Sequence, residues 1–179
     1  MVDAAWRNLV VADRAFKFEE IDAQSIPYED ETFDAVIANH MLYHLPDRPK
    51  GLAEIKRVLK PDGHLFASTI GVEHLKEMNA WMSRISEDRL SAVSHLPFQL
   101  ETGAEQLQGY FSGVKMERYS DNLEVTEIEP IIAYIRSGFS SEDIVESEFT
   151  KLQQELKSEL AQKGKIFITK DSGLFQAVK

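Results

Sequence analysis

Apolar and polar residues alternate with helix and strand periods through the first part of the chain. Residues 3–16 carry apolar side chains at roughly helical spacing, which predicts a helix, and residues 17–22 alternate as in a short strand. Residues 33–39 form a compact apolar run between polar segments. Such a run is typical of a strand that is buried on both faces of a parallel sheet.

A helix and a second strand are predicted after that apolar run. Asp47 is suited to cap a helix, and Pro49 falls in the first turn, where its missing N–H does no harm. The helix would bury a stripe made of Leu52, Ile55, Val58 and Leu59. A Lys-Pro-Asp-Gly turn at 60–63 then leads into an apolar stretch at 64–70. This order predicts the βαβ crossover of a parallel sheet.

The middle of the chain is predicted to be mainly helical. Apolar residues recur every three or four positions within residues 71–98, which indicates a helix. Capping boxes that begin at Thr102 and Thr126 predict two more helices, with a strand at 114–120 between them.

The end of the chain combines a long helix with a pair of strands. Apolar residues from Ile144 to Leu160 form a helical stripe that Gly164 closes. Residues 165–169 and 174–178 flank Asp-Ser-Gly at 171–173, which is a hairpin signal. The predicted fold class is therefore α/β, with a mostly parallel sheet, a helical cap and an antiparallel C-terminal hairpin.

Composition and charge exclude several classes of function. The chain has 179 residues, no cysteine and a formal net charge of -10, from 20 basic and 30 acidic residues. The missing thiols exclude thiolate catalysis and Cys-ligated metals, and the acidic balance argues against a nucleic-acid partner. No apolar run is long enough for a membrane span, and the first residues lack a secretory signal, so we expect a cytoplasmic location without a membrane partner.

Three motifs resemble those of class I S-adenosylmethionine-dependent methyltransferases, in particular the small-molecule group called type 11. They come in the family's order and spacing, as the end of the third strand, the fourth strand with its turn, and the entry to the fifth strand. The motifs are Asp22-Ala23-Gln24-Ser25-Ile26-Pro27-Tyr28, Phe33-Asp34-Ala35-Val36-Ile37-Ala38-Asn39-His40-Met41-Leu42-Tyr43-His44-Leu45 and Leu59-Lys60-Pro61-Asp62-Gly63-His64-Leu65.

The resemblance implies a Rossmann-like sheet that lacks the family's first strands. Such enzymes begin with a strand and a Gly-rich turn, whereas the third-strand motif appears here by Asp22 and the sequence contains no G-x-G. We therefore expect one partial, N-terminally truncated domain over residues 1–179. Its cofactor-side half would be 1–70, its helical cap and substrate region 71–164, and its closing hairpin 165–179.

The resemblance also implies which residues meet the cofactor, S-adenosylmethionine. Asp22 would accept a hydrogen bond from the adenine amino group, beside the Ala23 backbone; the alternative, that it caps a turn after a strand, is the less favoured interpretation. Asn39, His40 and Met41 would approach the cofactor where the fourth strand ends. Met41 is also an ordinary core residue, and both interpretations stay open.

Candidate groups for the acceptor follow from the same comparison. His40 and His44 are the candidate catalytic bases, because histidine titrates in the useful range, although lone histidines often have structural roles. A small-molecule acceptor would contact the variable cap, with Trp81, Met82, Phe98 and Tyr134 as candidates that could equally be core residues. His64, His74 and His95 have no partner at metal-ligand spacing, so no metal site is predicted.

Two functions remain open at this point. The chain is either a small-molecule methyltransferase, weak or inactive by itself and with weak or no affinity for S-adenosylmethionine, or a non-catalytic remnant that acts as a protein-interaction module. Without the family's first strands, the apolar edge at 33–39 would lie open. We expect the strand near 18–22, a second copy in a homodimer or a partner chain to cover it.

Overall fold

A computed structural model describes residues 16–85, 96–139 and 146–179. Within these ranges, four strands form one sheet: β1 (Phe33–Asn39), β2 (Leu59–Ile70), β3 (Ser112–Val125) and β4 (Ile166–Val178). The α-helices are α1 (Arg48–Val58), α2 (Lys76–Ile85), α3 (Leu100–Gln108), α4 (Glu129–Ser137) and α5 (Glu146–Lys163). A 3₁₀ turn, Leu42–His44, follows β1. The predicted α/β class is confirmed.

The sheet has the strand order β1-β2-β4-β3. β1 and β2 are parallel and are connected through α1, which confirms the predicted βαβ crossover. β4 lies antiparallel between β2 and β3, so the other three strands share one direction. The described sheet is therefore mixed, with the parallel pair β1–β2 and an antiparallel ending in which β4 pairs with β2 and β3.

The predicted turn at 171–173 does not form a hairpin, and this prediction was wrong. β4 runs without interruption through these residues and pairs with β3 along nearly its whole length. The Asp171 side chain is buried and bonded to neighbouring elements. A Cβ atom at Gly173 would lie 2.5 Å from the Glu117 carbonyl oxygen. Asp171 and Gly173 thus make close contacts with neighbouring elements. The same residue types are common in turns, so the sequence alone does not separate the two roles.

The first strand is correctly located but is not buried on both faces. In β1, Ala38 is buried, whereas the Ile37 side chain is 68% exposed. Residues 17–22 have no regular secondary structure, so the expected strand there was wrong and does not cover β1. Among the described strands only β2 pairs with β1. The helix predicted at 3–16 lies almost entirely outside the described residues.

Some predicted helix starts are displaced by a few residues. Asp47 caps α1 as predicted, by accepting from the Lys50 amide. α3 begins at Leu100 instead of after Thr102, because Gln99 caps it and Thr102 closes the capping box from the third helical position. β3 extends to Val125, which moves the start of α4 past Thr126.

The helix predicted within 71–98 starts later than expected, whereas the end of the long C-terminal helix agrees with the prediction. α2 occupies 76–85 of the stretch 71–98, of which 86–95 lie outside the described residues. α5 ends as predicted before Gly164, which has a φ of +72°.

Two apolar cores lie on opposite faces of β4. Ile166 and Ile168 pack with α2, α4 and α5, whereas Phe175 and Ala177 pack with β1, β2, α1 and α3. Buried positions are even-numbered before Thr169 and odd-numbered after it. Because successive strand side chains point to opposite faces, β4 passes from one core to the other at this residue.

Replacing Gly173 should test why β4 carries glycine in mid-strand. We expect Gly173→Ala to lower the free energy of unfolding by about 1–3 kcal/mol, because the new methyl group would overlap the Glu117 carbonyl. Gly109→Ala is the control: its backbone is right-handed helical and its nearest neighbouring atom is 3.5 Å away. It should leave stability unchanged or raise it by up to about 1 kcal/mol. Urea unfolding measures both, and equal effects would contradict the interpretation.

Candidate functional site

A cavity of about 650 Å³ opens at the carboxyl ends of β1 and β2. Ligands of open α/β sheets bind at this end of parallel strands, and the volume is in the range of small-molecule pockets. The side chains around it come from the β1 end, the turn after β2, α2, α4 and β4. They include His40, Tyr43, His74, Met82, Tyr134 and Lys170.

Two residues of the cavity wall have left-handed backbone conformations. His40 has a φ of 48° and Leu75 a φ of 54°, which are unfavourable for residues other than glycine and especially for a bulky side chain. The His40 amide is held by the Ser68 carbonyl at 3.2 Å and lies 3.1 Å from the Ser68 hydroxyl. Strained residues cluster at functional sites, where the surrounding structure enforces them.

The turn between β2 and α2 is fastened to β4 by backbone contacts. The Gly71 amide donates to the Asp171 carbonyl at 3.0 Å, and the Leu75 amide donates to the Thr169 carbonyl at 2.8 Å. The Glu73 amide donates to the Asp171 carboxylate at 3.2 Å. A Cβ at Gly71 would collide with that carboxylate, so glycine is required for the close approach.

Charged groups strengthen the same junction. The Glu77 carboxylate accepts from the Thr169 amide at 2.8 Å and from its hydroxyl at 2.7 Å. Burial acts to raise the pKa of Glu77, but the hydrogen bonds to its carboxylate, chiefly those from Thr169, and the charge of Lys76 together outweigh burial, so the pKa lies below its ordinary value. Arg118 pairs with both Asp171 and Glu101 across the start of α3.

His74 accepts a hydrogen bond through one ring nitrogen, which leaves its other ring nitrogen to carry the proton. Its Nδ1 accepts from the Asp171 amide at 3.2 Å. Burial lowers the pKa of His74, and the charges of His40 and Lys170 act in the same direction, whereas Asp171 opposes them. A neutral imidazole that accepts through Nδ1 carries its proton on Nε2. His74 therefore offers an N–H group at the cavity wall.

The residues predicted to bind the cofactor lie on two segments. Asp22 is exposed, and its Oδ1 accepts from the Gln24 amide at 2.8 Å, a hydrogen bond that lowers the pKa of Asp22. Ala23 follows it in the same turn. Asn39 ends β1 and accepts from the Ser68 hydroxyl at 3.2 Å, whereas Met41 packs against the core.

Arg57 and Glu54 fasten the Asp22 loop to α1. Arg57 donates to the Tyr28 carbonyl at 2.8 Å and the Ile26 carbonyl at 2.9 Å, and the Ile26 amide donates to Glu54 at 2.9 Å. The hydrogen bond from Arg57 lowers the pKa of Glu54 to about 2. We did not predict this pair, although its i, i+3 spacing on a helix is a usable signal.

The cavity contains some of the predicted catalytic and acceptor residues. His40, Met82 and Tyr134 line it. His44 is exposed on the 3₁₀ turn with its ring against Tyr43, 4.4 Å between centroids. Trp81 packs against the core formed by α2, α4 and α5, and Phe98 is fully buried against Phe175.

Several residues of the cavity were not predicted. Tyr43, His74 and Lys170 reach it from separate segments, and the sequence carries no motif that joins them. Within the described ranges there is no group of three or more side chains that could hold a metal ion. None of the described helices is long and apolar enough to span a membrane.

Known proteins similar to this chain agree with the motifs and the fold. Residues 1–67 match the family model Methyltransf_11, described as a methyltransferase domain. The chain is 32% identical over 102 residues to a phthiotriol/phenolphthiotriol dimycocerosates methyltransferase of Mycobacterium leprae, covering 57% of this chain and 36% of that protein. It is 43% identical over 130 residues to 27-O-demethylrifamycin SV methyltransferase of Amycolatopsis mediterranei, covering 66% and 40%.

A solved structure extends the similarity of fold to nearly the whole chain. The crystal structure of BH2331 from Bacillus halodurans, assigned as a methyltransferase, superposes with a TM-score of 0.65 at 16% identity, covering 99% of this chain and 78% of that one. The family model over residues 1–67 and the shared fold agree with the resemblance of the motifs to class I S-adenosylmethionine-dependent methyltransferases, whose cofactor is S-adenosylmethionine. It spans 36% and 40% of the two curated relatives above.

Glu54→Gln should make stability less dependent on pH. Because the pKa of Glu54 is about 2 in the folded protein and ordinarily near 4.5, its stabilisation is complete above about pH 4.5 and is lost as the pH falls toward 2. We expect the variant to lose on the order of 1 kcal/mol at pH 7 and less at pH 3. Urea unfolding at both pH values measures this, with the exposed Glu105→Gln as control. An equal loss at both pH values would contradict the assignment.

The protonation of His74 can be measured directly by NMR. Long-range ¹H–¹⁵N spectra should show a neutral ring at pH 7 with its proton on Nε2, because burial lowers the pKa and the Asp171 amide occupies Nδ1. The exposed His44 ring receives no such amide among the described residues and should show averaged tautomers. A proton on Nδ1 of His74, or a charged ring at pH 7, would contradict the donor role.

Proposed function

We propose that the protein takes part in methyl transfer from S-adenosylmethionine to a small-molecule acceptor. The observation that carries the proposal is the cavity at the carboxyl ends of β1 and β2, with the strained His40 in its wall. Two relatives named above are methyltransferases named for small molecules, which supports an acceptor of that kind.

The described residues fit the cofactor at the Asp22 loop. Asp22 is exposed, and only its Oδ1 has a hydrogen bond among the described residues, so Oδ2 remains able to accept from an amino group such as that of adenine. Arg57 holds the loop in place from α1. When bound, the cofactor would supply a methyl group on a sulfonium, which is already an activated leaving group.

The residues of the chain would act mainly by positioning. Methyl transfer from a sulfonium depends on proximity and an in-line approach, and a base is needed only if the nucleophile must lose a proton. His40 is the proposed base, because it lines the cavity at the end of β1. His74 would donate through Nε2 to an acceptor oxygen. Tyr43 stays protonated at neutral pH, because burial raises its pKa further.

We propose weak cofactor affinity for this chain by itself. The sequence has no G-x-G turn, which in this family contacts the methionine part of the cofactor. Contacts from the Asp22 loop and the β1 end would then have to hold the cofactor alone. The predicted cytoplasmic location stays a prediction.

A role in protein interaction is the second candidate function. The exposed Ile37 on β1, at the edge of the described sheet, favours it, since apolar edge strands readily pair with another chain. A second copy of the chain or a partner chain would cover this edge.

Saturation-transfer difference NMR with S-adenosylhomocysteine tests the first candidate, because the method detects weak ligands. We expect saturation of the adenine protons, at least threefold less in Asp22→Asn. Asp34→Asn is the matched control, since this exposed aspartate pairs with Lys60 at the other end of β1. No saturation at millimolar ligand would refute the cofactor site, and dimerisation in sedimentation experiments would then favour the second candidate. Micromolar affinity by calorimetry would refute only the weak binding.

A further inference from the structure

A second, smaller cavity adjoins the candidate site. Its volume is about 200 Å³, and it lies between α2, α4 and the paired ends of β3 and β4. Apart from two residues that it shares with the larger cavity, its lining is entirely apolar: Met78, Leu123, Val125, Pro130, Ile131 and Ile168. An apolar space of this kind has no groups to bind water and favours apolar ligand atoms.

Leu75 and Tyr134 belong to both cavities. The Leu75 side chain is placed there by its left-handed backbone, which the 2.8 Å hydrogen bond to the Thr169 carbonyl holds. Tyr134 projects from α4 and is largely exposed, although its ring is apolar. The two cavities therefore meet at a common wall, and a ligand in one can extend toward the other.

The two cavities differ sharply in polarity. The larger one is lined by His40, His74, Lys170 and Ser172. Because Nδ1 of His74 accepts from the Asp171 amide, the neutral ring carries its proton on Nε2. The smaller one has no charged side chain in its lining. A molecule that satisfies both must carry a polar, oxygen-bearing group at one end and an apolar portion at the other.

We propose that the methyl acceptor is an amphipathic molecule whose apolar portion occupies the smaller cavity and whose oxygen lies in the larger one beside His74. The role of this molecule as methyl acceptor rests on the proposed function, whereas the binding of an amphipathic ligand does not. The apolar portion is branched or linear hydrocarbon, because the space is small and Tyr134, which it shares with the larger cavity, is the one residue of its lining with a polar side-chain group.

Competition between a fluorescent probe and alcohols tests the proposal without the cofactor. The probe is N-phenyl-1-naphthylamine, and the competitors are 1-alkanols from butanol to decanol. We expect saturable probe binding and displacement that strengthens with chain length until the smaller cavity is full. Absence of saturable binding, or displacement independent of chain length, would overturn the proposal.

Two pairs of variants locate the binding. Leu123→Trp should fill the smaller cavity and weaken octanol binding at least tenfold, whereas Met116→Trp on the same strand should not. Met116 is a matched control, because Leu123 and Met116 are 42% and 43% exposed and only Leu123 lines the cavity. If circular dichroism shows that a tryptophan variant is misfolded, Leu123→Lys and Met116→Lys replace the pair. Equal effects within a pair would contradict the proposal.

His74→Phe tests the polar end. It should weaken octanol several-fold and leave the naphthylamine unchanged, because only the alcohol offers an oxygen to Nε2–H; equal changes for both ligands would overturn that part. The outcome is separable from the cofactor experiment. Alcohol binding without S-adenosylhomocysteine binding would refute the proposed function alone, and the reverse result would refute the amphipathic ligand alone.

Discussion

The contact between Thr169–Asp171 and the turn that follows β2 fixes the geometry of everything around the cavity. Five backbone amides at this junction are hydrogen-bonded across it, and Glu77 receives two hydrogen bonds from Thr169 alone. Because the turn is pinned to mid-strand β4, α2 starts at a defined height above the sheet. The same contacts set the backbone of Leu75 and the tautomer of His74.

This junction also explains how one strand serves two cores. β4 changes the phase of its buried positions at Thr169, so its first part supports the helices α2, α4 and α5 and its second part completes the core under α1 and α3. The candidate site lies where those two halves meet. A site at such a boundary can draw polar groups from the strand ends and apolar groups from the helical layer, which is the combination found in the two cavities.

The sequence predicted the elements better than their contacts. The strand at 33–39 was correctly located from its compact apolar run, and α1 and α5 were correctly located from apolar stripes of strong helical periodicity. Asp-Ser-Gly at 171–173 was misread as a turn, because Asp and Gly are typical turn residues. Here Asp supplies a buried carboxylate and Gly allows a close backbone approach, and local residue preferences do not separate these roles from a turn. His40, Met82 and Tyr134 were expected near the site, whereas His74 depends on a contact 97 residues away that no local pattern encodes.

The fold and the chemistry place different demands on the same residues. Leu75 and His40 occupy backbone conformations that cost energy, and neither conformation is needed to end a strand or to begin a helix. Both residues line the larger cavity, and Leu75 also lines the smaller one. These two conformations thus lower the stability of the protein while fixing the direction of two side chains at the boundary between the polar and the apolar cavity. Such a cost is understandable if a ligand must lie across that boundary in one orientation, since methyl transfer depends on the alignment of the reacting atoms.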